Sequence, residues 1–114
     1  MSGPPPGMAL GMLTEIPDGG AKVIGFNDGE GRREFFIQRR GGALFAYLND
    51  CPHSHLPLDW VAGRFLDIER KHLLCANHGA LFRLEDGYCL HGPCAGASLT
   101  PVRIILDDGK ILTG

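Results

Sequence analysis

Two short segments of the chain each place a cysteine close to a histidine, at spacings that suit a shared metal site. The first is a C-x-H segment with Cys51 and His53, and the second is a C-x-x-H segment with Cys75 and His78. Thiolates bind iron and zinc strongly, while neutral imidazoles add nitrogen ligands without adding charge. When two imidazoles replace two thiolates at a 2Fe-2S cluster, the reduction potential rises. The pattern therefore predicts that Cys51, His53, Cys75 and His78 bind metal, with one-electron transfer as the expected chemistry.

A zinc site is the main alternative, because tetrahedral zinc also accepts two cysteines and two histidines. Zinc modules usually pair cysteine with cysteine at short spacing, whereas each segment here pairs cysteine with histidine. Gly79 and the Gly92-Pro93 pair are also easier to explain beside a cluster that needs close backbone amides. The cluster is therefore the favoured prediction, and the alternative is a zinc-binding structural or protein-interaction module.

Short β-rich runs bounded by turn signals are expected to position the ligand segments. They are residues 21–26, 33–40, 43–48, 80–84 and 102–106. Gly41-Gly42 separates two of these runs and predicts a hairpin with a two-residue turn. Residues 49–61 read as a ligand loop, a second ligand loop follows Cys75, and residues 91–97 form a third loop of small residues. We expect the two ligand loops to meet across the edge of a sheet.

Length and composition predict one all-β domain. A chain of 114 residues has room for a single core, and its 17 glycines and 8 prolines favour turns over long helices. Residues 1–8 contain three consecutive prolines, which cannot donate to a β-ladder, so we expect a disordered tail there. The single domain is then expected to span residues 9–114.

Charge and hydropathy exclude several classes of partner. A formal net charge of −2 gives no basic surface for nucleic acid or anionic membranes. The apolar runs are far shorter than the roughly 20 residues of a membrane helix, and residues 1–12 lack the pattern of a signal peptide. We therefore expect a cytoplasmic protein without nucleic-acid or membrane partners. In a reducing compartment, Cys89 and Cys94 are expected to be thiols in or near the core, and a disulfide between them is the alternative.

The landmarks along the chain resemble those of the Rieske iron-sulfur family. They include residues 13–19, 49–53, 75–82, 86–87, 92–94 and 99–102. The resemblance covers nearly the whole chain after the proline-rich start. It implies a Rieske domain of stacked antiparallel sheets, with a cluster-binding loop subdomain formed by the two ligand loops and the third loop.

The resemblance also implies how the four ligands divide between two irons. Cys51 and Cys75 would bind one iron through sulfur, and His53 and His78 would bind the other through a ring nitrogen. One 2Fe-2S cluster per chain then carries no net charge when oxidised, since two ferric ions balance two sulfides and two thiolates. A change of a single charge on reduction is easier to accommodate in an apolar site.

Departures from the membrane-anchored respiratory branch of the family are informative. Each loop of that branch has an extra cysteine, and here Leu56 and Asn77 occupy those places, so the bracing disulfide is missing. Ala80 replaces a serine whose hydroxyl hydrogen-bonds the cluster, which predicts a potential toward the low end of the range of roughly −150 to +300 mV. The chain is thus similar to soluble Rieske-type ferredoxins. Such a protein is an electron carrier rather than an enzyme, and its expected partners are a reductase and a terminal acceptor such as an oxygenase.

Three further side chains near the ligand segments have simpler interpretations than a direct role in metal binding or electron transfer. His55 lies two residues after His53 and is expected to be a polar loop residue rather than a fifth ligand. Trp60 and Phe82 are expected to pack in the core. Catalytic residues are not predicted, because oxygenase chemistry needs a second, mononuclear iron site.

Overall fold

The computed structural model describes residues 4–27, 29–52, 58–59, 65–67, 71–75, 79–93 and 95–114. Its strands in chain order are β1 Ala9–Met12, β2 Ala21–Asn27, β3 Arg32–Arg40, β4 Ala43–Leu48, β5 His72–Cys75, β6 Ala80–Arg83, β7 Cys89–His91, β8 Ile104–Asp107 and β9 Lys110–Thr113. A 3-10 turn, Leu13–Glu15, follows β1. Among the residues that the structure describes, no helix is long and apolar enough to span a membrane.

The strands form three antiparallel sheets of three strands each, with orders β1-β9-β8, β2-β3-β4 and β5-β6-β7. The all-β prediction is therefore confirmed. The predicted runs 21–26, 33–40 and 43–48 correspond to β2, β3 and β4 within one residue at each end. Arg40 pairs with Ala43 across Gly41-Gly42, so the predicted two-residue hairpin turn is also confirmed.

Strand β3 separates two hydrophobic cores. Its central residues Phe35, Phe36 and Ile37 are completely buried, although successive side chains of a strand point to opposite faces. Phe35 and Ile37 belong to the core that includes Leu10 and Ile111 of the β1-β9-β8 sheet. Phe36 belongs to the other core, which the β5-β6-β7 sheet helps to enclose. The middle sheet is therefore covered on both faces, which explains the continuous apolar run in β3.

The cluster-side core, as we name this second core, contains all three cysteines that the structure describes. Cys51, Cys75 and Cys89 are each at most 1% exposed. The other buried members are aromatic or aliphatic, namely Phe36, Tyr47, Leu58, Phe65, Leu73, Ala80, Phe82, Leu84 and Leu99. The predicted core position of Phe82 is confirmed. An apolar environment of this kind excludes water from the thiol groups.

The first strand was not predicted from the sequence. Gly11 lies inside β1, and the register with β9 shifts between Ala9 and Gly11. An internal glycine and a bulge weaken the alternation that identifies a strand. The pairing with β9, at the far end of the chain, supplies the hydrogen bonds that local sequence does not indicate.

The last residues of the predicted tail contact the end of β9. The Gly7 amide donates to the Thr113 carbonyl at 2.9 Å, and the Met8 amide donates to the Thr113 hydroxyl oxygen at 2.7 Å. That hydroxyl donates in turn to the Pro5 carbonyl. These bonds hold residues 5–8 against β9, and disorder of residues 1–8 in solution stays a prediction.

Candidate metal centre

The first ligand loop begins at Asn49, directly after β4 and two residues before Cys51. The Asn49 backbone amide donates to the Glu34 carbonyl at 3.0 Å, which continues the pairing with β3. The Asn49 side-chain oxygen accepts the backbone amide of Leu58 at 2.8 Å, and its nitrogen donates to an Asp59 carboxylate oxygen at 2.9 Å. Asn49 is only 8% exposed. Its buried amide therefore ties the start of the loop to the point where the chain returns to the core.

Replacing Asn49 with alanine is expected to speed loss of the metal centre. The substitution leaves the buried Leu58 amide without its acceptor, which costs roughly 1–3 kcal/mol, and it frees the loop at Asp59. The measurement is the rate at which the visible absorbance of the cluster disappears in mild denaturant. Asn27→Ala is the matched control, because the Asn27 side chain is exposed and accepts the nearby Gly29 amide. Equal rates for the two variants would show that the Asn49 bonds do not hold the loop.

The second ligand segment leaves β5 at Cys75 and returns at β6. Cys75 pairs with Ala80, the first residue of β6, and the Gly79 amide donates to the Cys75 carbonyl at 3.0 Å. This bond closes the chain between Cys75 and Gly79, the interval that contains His78. The β-pairing and the Gly79 hydrogen bond together fix Cys75 at the end of a strand.

Residues 65–67 anchor β5 from the other side. The Leu74 amide donates to the Phe65 carbonyl at 2.7 Å. The Asp67 carboxylate accepts the amides of Lys71 at 3.0 Å and His72 at 3.3 Å, and lies 3.5 Å from the His72 ring nitrogen. Burial raises the pKa of Asp67, but these hydrogen bonds and the His72 ring outweigh it, so the net shift is downward. The ionised carboxylate therefore holds the backbone at Lys71 and His72, where β5 begins.

The third loop lies against the second ligand segment at Gly92. A Cβ atom at Gly92 would lie 2.7 Å from the Ala80 Cα, a distance that real Cβ atoms do not reach. The loop is closed by a bond from the Cys89 amide to the Ala97 carbonyl at 2.8 Å, and by one from the Gly96 amide to the Cys89 carbonyl at 3.3 Å. Gly92 of the third loop is therefore in direct contact with Ala80, the residue that pairs with Cys75.

Tyr47 contributes the one side-chain hydroxyl among the buried members described for the cluster-side core. Its hydroxyl donates to the Leu84 carbonyl at 2.7 Å. Burial raises the pKa of Tyr47 to about 12, with a further contribution from the Asp86 and Glu85 carboxylates. The phenol stays neutral in the physiological range, and its proton is directed to Leu84.

The structure describes two of the four predicted ligands, Cys51 and Cys75, and it brings both into the same core. The following residues of the sequence predictions lie outside the described residues: His53, His55, Leu56, Trp60, Asn77, His78 and Cys94. Within the described part, no group of three or more potential metal ligands occurs. Metal binding by the four residues therefore stays a prediction.

Two residues that position the site were not singled out from the sequence. Asn49 was noted only as part of a landmark, and Asp67 was not noted. A short polar side chain at the end of a strand, as at Asn49, often hydrogen-bonds backbone groups of the following loop. This residue type at this place is the sequence signal that could have identified Asn49. The loop partners of such a residue are set by how the chain returns, and local sequence does not specify them.

Comparison with known proteins assigns the family. Residues 10–105 match the Rieske [2Fe-2S] domain. The chain belongs to the Rieske family. The Rieske chain is 28% identical over 105 residues to the cytochrome b6-f complex iron-sulfur subunit of Chlorobaculum tepidum, covering 92% of this chain and 51% of that subunit. It is 30% identical over 86 residues to the corresponding subunit of Chlorobaculum thiosulfatiphilum, covering 75% of this chain and 41% of the relative.

The fold of the Rieske chain is also similar to solved structures. The ferredoxin of carbazole 1,9a-dioxygenase from Nocardioides aromaticivorans IC177 superposes with a TM-score of 0.68 at 18% identity. The superposition covers 94% of this chain and 97% of the ferredoxin. The structural likeness shows the same fold, whereas the Rieske chain spans about half the length or less of the two curated subunits.

The Rieske domain carries a 2Fe-2S cluster, and the described residues fit that group. Cys51 and Cys75 supply two thiols of the type that binds iron, in one water-excluding core. Gly92 leaves room for the third loop to approach Ala80 beside Cys75. The donor chemistry and the space agree with the cofactor of the family.

Proposed function

We propose that this Rieske chain is a one-electron carrier in which Cys51 and Cys75 bind one iron and His53 and His78 bind the other. The observation that carries the proposal is the position of the two cysteines. Each follows or ends a strand, each is at most 1% exposed, and both belong to the cluster-side core. The bound cluster supplies the capacity to accept and return a single electron.

The residues around the cysteines exclude water and limit movement. The aromatic and aliphatic members of the cluster-side core keep the thiolates in an apolar environment. Asn49 holds the first ligand loop closed, and the Gly79 bond to Cys75 holds the second. A rigid site reduces the reorganisation that accompanies electron transfer, and no group of the protein has to change its covalent bonds.

We further propose a ferredoxin-like role, with a reductase as donor and an oxygenase or other redox enzyme as acceptor. Leu56 and Asn77 support this role, since they occupy the places of the two bracing cysteines of the membrane-anchored branch. Ala80 supports it as well, because its buried methyl group offers no hydroxyl beside Cys75. The Tyr47 hydroxyl donates to Leu84, so it is not a substitute donor. The role as carrier rather than catalyst and the cytoplasmic location are parts of the same proposal.

One redox titration followed by electron paramagnetic resonance tests the proposal. We expect about two irons and no zinc per chain, an oxidised form without a signal, and a reduced form with the signal of one unpaired electron. Nitrogen couplings in the pulsed spectrum are expected from His53 and His78. We expect the midpoint in the lower half of the range of roughly −150 to +300 mV, because fewer hydrogen bonds reach the sulfurs.

Each part of the proposal has its own contrary result. Zinc in place of iron would turn the protein into the structural module considered as the alternative. An iron cluster without nitrogen couplings would overturn the histidine ligands. A midpoint near the top of the range would contradict the ferredoxin-like role and favour a subunit similar to those of the curated relatives.

A further inference from the structure

Strand β8 is an edge strand with apolar side chains on both faces. It pairs with β9 on one side, and no strand in the described part of the chain pairs with Ile104–Asp107 on the other. Ile105 is 48% exposed and Leu106 is 44% exposed, and adjacent side chains of a strand point to opposite faces. Proteins usually protect such an edge with lysine, proline or a bulge. Between Ile104 and Leu106 this edge has none of them.

The backbone groups that face the open edge can be identified. Asp107 pairs with Lys110 across the two-residue turn Asp108-Gly109, whose φ values of 49° and 82° are those of a type I′ hairpin, so the closing pair is hydrogen-bonded. The Gly114 amide donates to the Arg103 carbonyl at 2.9 Å. Positions 103, 105 and 107 therefore direct their amides and carbonyls toward β9. Positions 104 and 106 direct theirs to the open edge.

The same alternation holds just before β8. The Val102 amide, at an even position, donates to the Ala46 carbonyl of β4 at 2.9 Å. The bridge between β4 and this segment is at Pro101, and the pairing does not continue along β8. The outward amides and carbonyls of Ile104 and Leu106 thus begin where the contact with β4 ends.

In only one symmetric register do the outward backbone groups of Ile104 and Leu106 form hydrogen bonds while the neighbouring charged residues face opposite charges. If a second copy of the chain adds its β8 antiparallel with Ile105 opposite Ile105, then Ile104 of one copy faces Leu106 of the other. Both of these residues have outward backbone groups, as a hydrogen-bonded pair requires. Arg103 of each copy then faces Asp107 of the other. If Ile104 were instead opposite Ile104, Val102 would face Leu106 of the other copy. That pair would need the Val102 amide, which already donates to the Ala46 carbonyl.

The charges at the two ends of β8 are available for such a contact. Arg103 and Asp107 are both exposed, and no ion pair recorded among the described residues includes either of them. In the twofold register, each copy contributes one Arg103 and one Asp107, so the contact contains two identical ion pairs. Opposite charges across an antiparallel pair are stabilising, and like charges are destabilising.

We propose that β8 is a self-association edge at which two copies of this chain pair β8 antiparallel about Ile105. The contact joins two three-stranded sheets into one sheet of six strands. Its apolar contribution comes from Ile105 and Leu106, and its register is selected by Arg103 and Asp107. The contact area is small, so the dimer forms at high protein concentration and dissociates on dilution.

Charge reversal tests the register. Sedimentation velocity of the cluster-loaded protein, from micromolar to near-millimolar concentration, is expected to show a monomer–dimer equilibrium. Arg103→Glu alone and Asp107→Lys alone are each expected to weaken the dimer about tenfold, since each places like charges opposite one another twice. Mixing the two variants is expected to restore dimers, because each then faces the opposite charge. Lys71→Glu is the matched control for the change in net charge of Arg103→Glu, because Lys71 is exposed and lies outside the proposed contact.

The outcomes that overturn the proposal are equally distinct. A protein that remains monomeric at every concentration has no self-association edge. Dimers that resist both charge reversals, or single variants that do not associate when mixed, place the contact elsewhere or in another register. Cluster absorbance is recorded on every sample, so a folding defect is separated from a loss of association.

Discussion

Replacing Cys75 with serine is expected to leave the purified protein with almost none of the roughly two irons per chain of a 2Fe-2S cluster. Serine is a much weaker ligand for iron, because its hydroxyl loses a proton far less readily than a thiol. Cys75 is completely buried at the end of β5, so neither water nor a nearby mobile side chain can readily replace the lost bond. The measurement is the iron and acid-labile sulfide content of the folded variant.

Cys89→Ser is the matched control for this experiment. Cys89 is also buried in the cluster-side core, so both substitutions place the same hydroxyl in the same apolar environment. The Cys89 thiol lies 3.3 Å from the His91 carbonyl, and a serine hydroxyl can donate to the same acceptor. We expect this variant to retain its iron. Full iron content in Cys75→Ser would refute the ligand role of Cys75. Equal loss of iron in both variants would show that a hydroxyl in the apolar core, rather than loss of a ligand, causes the effect.

Replacing Gly92 with alanine is expected to lower the free energy of unfolding by about 2–6 kcal/mol and to speed cluster loss. Gly92 has a φ of +107°, which costs an L-residue roughly 1–3 kcal/mol. The added methyl group would also meet the Ala80 Cα at 2.7 Å, and overpacking typically costs about 1–3 kcal/mol. Because Ala80 pairs with Cys75, the strain is applied beside a proposed ligand. Denaturant unfolding and the decay of visible absorbance measure the two effects.

Gly96→Ala separates backbone strain from the contact with Ala80. Gly96 lies in the same third loop with a φ of +94°, but a Cβ atom there meets nothing within 4 Å. We expect a loss of about 1–3 kcal/mol of unfolding free energy from backbone strain and little change in the rate of cluster loss. If both variants lose the cluster equally fast, the close approach of Gly92 to Ala80 has no special role.

The hairpins of this protein were predictable because their signals are local. Gly41-Gly42 between two alternating runs specified the turn, and β2, β3 and β4 formed within one residue of their predicted ends. β1 was missed because Gly11 and the bulge beside it remove the local signal, while its partner β9 lies at the other end of the chain. The predicted run 102–106 likewise began too early, since the Val102 amide bonds Ala46 and β8 begins at Ile104.

The sequence by itself determined the family and the all-β class, and it predicts the four ligands, because ligand chemistry and turn chemistry depend on residue type and short spacing. Only the tertiary structure decided that Cys51 and Cys75 lie in the same hydrophobic core, and that β3 separates this core from a second hydrophobic core. It also decided that Asn49 closes the first loop and that Gly92 rests on Ala80. These contacts join segments distant in sequence, and their geometry follows from packing around the core rather than from any local preference of the chain.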